Sequence, residues 1–97
     1  MTYQTLKTNI ERELILTLVL GLRKNKISES RAKIISKAFL NVIKNSIDNE
    51  DLIKKIASIC PEYPEIMDGF IKVSNNYEKD YVANSLKKVR EEVTNNN

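Results

Sequence analysis

The stretch 27–47, ISESRAKIISKAFLNVIKNSI, limits what this chain can fold into more than any other part of it. Its apolar residues Ile27, Ile34, Ile35, Ala38, Phe39, Val42, Ile43 and Ile47 are spaced by repeated threes and fours. A half-buried strand would alternate by two, so the period predicts a helix. At about 100° per residue, the apolar positions from Ile34 to Ile43 fill an arc of roughly 180°, centred between Ile35 and Val42. An arc that wide predicts contact with two neighbouring elements. Lys33, Lys37 and Lys44 fall on the opposite pole, with Asn41 beside them. Ser28 or Ser30 suits the N-cap, where a hydroxyl accepts from the amides of the first turn. Glu29 suits the positive end of the helix dipole and Lys44 the negative end.

The rest of the chain carries the same period. Tyr3, Leu6, Ile10, Leu14 and Leu18 predict a first helix over about residues 2–22, with Thr2 as its cap. From Leu14 this helix thickens into LILTLVLGL, apolar almost all round. Nine residues fall well short of the ~20 that span a bilayer, and Glu11, Arg12 and Glu13 stand where a signal peptide has its basic leader. The stretch is therefore expected to be buried on several sides at the centre of the domain, the alternative being an exposed apolar face used for dimerisation. Gly21 and Asn25 end the helix, Asn25 being suited to a left-handed C-cap. Arg23, Lys24 and Lys26 cluster there.

Asp48 caps a third helix whose stripe is Leu52, Ile53, Ile56, Ala57 and Cys60, with Ile59 beside it and Glu50 and Asp51 in its first turn. Pro61 stops it, and the PEYP corner leads to Pro64 at the start of a fourth. That last helix has two faces. Ile66, Phe70, Val73 and Tyr77 share one; Val82, Leu86, Val89 and Val93 share another, roughly 150–180° away. One straight helix cannot turn both toward one core. Asn75 with Glu78 resembles a capping box, so a kink or break is expected near Ser74, Asn75 and Asn76. The 4-3-4 spacing of the second face is that of a coiled-coil seam under two heptads long.

The fold expected is all-α: a compact bundle of four to five helices, two helical hairpins joined through the Pro-bounded corner. It forms a single domain over residues 1–93, with a polar, disordered tail at 94–97. Only two glycines and two prolines occur, and 30% of residues are charged. Both facts suit a small soluble helical domain. With Cys60 the only cysteine and no histidine anywhere, neither a disulfide nor an ordinary zinc site is available, and a catalytic thiolate has no imidazole base. Gly21 and Gly69 are the only glycines, which excludes glycine-rich phosphate loops. The acids around Glu62, Glu65 and Asp68 lack the spacing of a calcium loop and suit helix N-termini. No enzyme activity, cofactor, metal, membrane or small-molecule substrate is expected.

Charge is uneven. Up to Asp48 there are nine bases and four acids; beyond it there are seven bases and nine acids. Arg23, Lys24, Lys26, Arg31, Lys33, Lys37 and Lys44 are the candidate anion-binding set. They support one reading, a basic DNA- or RNA-binding module with the second helix as a recognition helix. Against it, the joint from Gly21 to Ser28 is longer than a helix-turn-helix uses, and arginine is scarce. The leading expectation is a cytoplasmic protein-interaction or assembly module, self-associating as a homo-oligomer through Tyr77, Tyr81, Val82, Leu86, Val89 and Val93. Leu16 and Leu20 are secondary candidates.

Overall fold

The computed structural model describes the backbone of residues 2–95, and the side chains of residues 2–79 with Ala83, Leu86 and Lys87. These residues form four α-helices and a 3-10 turn, with no strand among them: α1 (Tyr3–Arg23), α2 (Glu29–Asn45), α3 (Asn49–Ile59), the turn Pro64–Ile66, and α4 (Met67–Asn95).

Each helix start follows from a cap. Thr2, Ser28 and Asp48 stand in extended conformation and accept from the backbone N–H of Thr5, Arg31 and Asp51. Each satisfies an amide of the first turn that has no partner within the helix. The end of α1 is equally local. Asn25 has φ of 56°. Around it the Lys26 N–H reaches the Gly21 carbonyl and the Asn25 N–H reaches that of Leu22. This is the Schellman pattern, and asparagine tolerates the left-handed conformation better than most side chains. Gly21 matters for room: a Cβ there would lie 3.1 Å from Ile27 Cγ2.

Leu6, Ile10, Leu14 and Leu18 of α1 meet Ile35, Phe39 and Ile43 of α2, Leu52, Ile56 and Cys60 of α3, Ile66 of the turn, and Phe70 and Val73 of α4 in one buried core. Tyr3 closes its open end, its hydroxyl donating to the Ser46 carbonyl at 2.6 Å and so tying the start of α1 to the end of α2. Burying this apolar surface is the main term holding the helices together.

The helix α4 lies against α1 through Gly69. A Cβ there would sit 2.6 Å from Thr17 Oγ1, whose hydroxyl donates to the Glu13 carbonyl at 2.8 Å. Gly69→Ala gains up to ~1 kcal/mol in helix propensity but loses about 1–3 kcal/mol to the clash. A net loss of roughly 1 kcal/mol is expected by chemical denaturation. Thr17→Ala combined with Gly69→Ala should recover it, because the two atoms that collide are then compatible.

Three expectations are corrected. First, α4 is continuous across Ser74, Asn75 and Asn76; no break occurs. A break would strand four amides and four carbonyls, and no proline or glycine forces it. Second, the apolar end of α1 is not enclosed. Ile15, Leu16, Val19 and Leu20 are each 41–46% exposed. Third, the apolar arc of α2 is narrower than its pattern: Ile34 is 53% exposed and Ile47, beyond the helix end, 79%. Ala57 on α3 is exposed as well. The core of a chain this small is filled by one row of side chains per helix, and the second row meets water.

Continuity gives the molecule its shape. Gly69 faces Thr17, and Lys72 Nζ lies 3.5 Å from Glu13 Oε1, so α4 runs antiparallel to α1. At 1.5 Å per residue it reaches the first turn of α1 about ten residues after Lys72, and roughly a dozen residues continue past it. The long axis is accordingly 61 Å against 26 and 21 Å, and the radius of gyration 16.5 Å. A globular chain of this length has about 12–13 Å.

Candidate association surfaces

Among the described residues, α1 and α4 leave apolar side chains uncovered and α2 leaves basic ones. The first apolar face is on α4. Phe70 and Val73 are buried and Tyr77 packs on the core. Glu78, Lys79, Ala83, Leu86 and Lys87, the described side chains that follow, are all exposed, Leu86 at 57%. Asn75, Glu78, Lys79, Ala83 and Leu86 line a shallow depression along this helix. Its far face is exposed near the bundle too, at Met67 and Ile71. Of the residues expected to bind a partner, Tyr77 belongs partly to the core and Leu86 stands in solvent. The side chains of Tyr81, Val82, Val89 and Val93 lie outside the described residues.

The second apolar face is on α1. Thr8, Glu11, Arg12, Ile15, Leu16 and Val19 line an open, mostly apolar depression on the side of the helix turned from the core. Periodicity alone places these residues on a common face. It does not say that the opposite face takes the whole core, so only Leu16 and Leu20 stood out from the sequence.

The basic residues are divided. Arg31 is held by the PEYP corner. Its Nε donates to Glu65 Oε2 at 2.6 Å, and its Nη2 donates to Glu65 Oε1 at 3.1 Å and to the Glu62 carbonyl at 2.8 Å. Its guanidinium lies 5.2 Å from the Tyr63 ring centroid. Lys24 and Lys26 share a groove of about 400 Å³ with Glu65 of the 3-10 turn and Asp68 of α4, so these acids offset part of the basic turn. Arg23, Lys33, Lys37 and Lys44 are exposed.

The Arg31 clamp predicts a pH dependence. Its hydrogen bonds and charge hold the Glu65 carboxyl below the usual carboxylate range. The Lys55 ammonium, then the Ile47 N–H, do the same for Asp51 at the start of α3. A carboxylate depressed in the native state stabilises the fold above its unfolded pKa. That contribution is lost as pH falls through the native value. The Tm should therefore decline below about pH 4.5, and Glu65→Gln should flatten part of that decline while lowering Tm at neutral pH.

Cys60 is buried, and burial pushes its thiol up, away from a reactive thiolate. Among the described residues no group of acids and sulfurs could hold a metal, and no helix is long and apolar enough to cross a membrane. No protein-family model, curated protein or solved structure matches the chain.

Proposed function

We propose that this chain is a small helical assembly module, without catalytic chemistry of its own, that associates with a second copy of itself through the part of α4 that runs past the bundle. The observation that carries this reading is the exposed Leu86 on a helix that continues well beyond the core it serves. Helical period sets positions 82, 86, 89 and 93 roughly 160° from Phe70, Val73 and Tyr77 on the helical wheel. An apolar stripe on a helix that outruns its own core is the form in which helices offer themselves to other helices. Light scattering tests it: the mass should exceed the 11.2 kDa of one chain and rise with concentration.

A second reading draws on the exposed Lys33, Lys37 and Lys44, which helical period sets on one pole of α2 away from its buried row. Such a face meets a phosphate backbone by charge, with salt-dependent affinity. Reversing those three charges should abolish retention on DNA or RNA; unchanged retention sinks the reading.

A further inference from the structure

We infer that the lysine pole of α2 binds duplex nucleic acid by its phosphate backbone, without reading bases. This rests on the second reading above and names the form of nucleic acid and the manner of contact. Among the described residues α2 packs on α1 and α3 and not on α4, which leaves its outer side exposed. Lys33, Lys37 and Lys44 stand within about 40° of arc, roughly 135° from the buried row of Ala32, Ile35, Phe39 and Ile43. All three are exposed, and among the described residues none of them makes an ion pair or a hydrogen bond. From Ser30 to Asn45 the helix holds no acid, so the charge of this face has one sign; Glu29, its one acid, is its first residue.

The groups on this helix that could read bases are engaged within the fold. Arg31, the one arginine of α2, has the fork that recognises guanine, and Glu65 and the Glu62 carbonyl already take its donors. Asn41 has the amide that pairs with adenine, and its Oδ1 accepts from Asn45 Nδ2 at 3.0 Å. Three ammonium groups remain. They are point charges that settle on phosphate and carry no sequence information. Phosphate density then favours the duplex. Lys33 to Lys44 spans about 16 Å, and a duplex carries one charge per ~1.7 Å of its axis, twice the density of either strand. A single strand is held by aromatic platforms for its bases, and the described exposed residues of α2 include no aromatic. A partner helix or a lipid surface would need an apolar stripe. Ile34 and Leu40, the exposed large aliphatics of α2, stand about 120° apart with the lysines between them, so they form none.

Fluorescence anisotropy of the full chain with labelled DNA tests this, with the helicity of each variant checked by circular dichroism. Two unrelated duplexes of about 20 base pairs should bind within ~3-fold of each other, and either single strand at least ~5-fold more weakly. Three phosphate contacts per chain give log K a slope of about −2.7 against log salt, or roughly a 40-fold loss between about 50 and 200 mM. Lys33→Gln, Lys37→Gln and Lys44→Gln should each flatten that slope by about 0.9, and Arg31→Gln should leave it unchanged. A single strand bound as tightly as the duplex, or one duplex preferred by ~10-fold, overturns the inference and leaves the second reading standing. A slope that Arg31→Gln flattens also overturns it, because the clamp then opens to the nucleic acid. No binding at the lowest salt, or binding that the three lysine variants do not change, overturns both.

Discussion

Replacing Phe39 with alanine is expected to destabilise the fold by about 3–5 kcal/mol and to lower Tm by on the order of 20 °C. Phe39 is the largest fully buried side chain among the described residues and belongs to the core shared by all four helices. Removing its ring loses the transfer free energy and leaves a cavity that four helices cannot close together. Against the 5–15 kcal/mol that holds a typical domain, such a loss is large enough to leave part of the population unfolded at room temperature. Phe39→Leu, which keeps much of the volume, should cost less than ~1.5 kcal/mol. The control is Ile34→Ala on the same helix. Ile34 is about half exposed, and its loss should fall within ~0.5 kcal/mol of neutral. Thermal and urea denaturation of the three variants would check the ranking.

That contrast marks where the sequence stops being informative. The apolar period of α2 places Ile34 and Phe39 on one broad arc, and both have the same claim to the core. Which of them is buried depends on how far α1 and α3 wrap around the helix, and side-chain spacing carries no information about that. The same limit explains α1. Leu6, Ile10, Leu14 and Leu18 are read directly from their spacing because one row faces inward, whereas LILTLVLGL reads as enclosed although Ile15, Leu16, Val19 and Leu20 on its outer half are exposed. Local chemistry is the most legible layer. Thr2, Ser28, Asp48 and Asn25 do at the helix ends what their side chains equip them to do within a few residues. The Asn75 and Glu78 pair shows the reverse case, a local signal outweighed by the unbroken hydrogen-bond ladder of α4. The Arg31–Glu65 clamp was invisible because it joins residues 34 positions apart. Finding it needs the corner at Pro61 and Pro64 to be folded back onto the start of α2.

Ending the chain at Ala83 is expected to leave Tm within a few degrees of the full chain while removing self-association altogether. The buried residues among those described all precede Tyr77, and a chain ending at Ala83 still covers α1 to its first turn. Little of the core's free energy therefore depends on what is removed. The association seam loses Leu86, Val89 and Val93, three of its four apolar positions. Interface energies concentrate in a few such anchors, so their joint loss should leave no measurable dimer. A truncated chain that unfolds would instead show that the bundle draws stability from the residues beyond 83. One that still dimerises would move the interface onto the bundle itself.

The central claim is that α4 is longer than its own fold requires because it serves a second molecule. Sedimentation equilibrium of the full chain over a wide concentration range tests this most directly. A weight-average mass that climbs toward twice 11.2 kDa is the predicted result. A mass fixed at that of one chain across the whole range would contradict it.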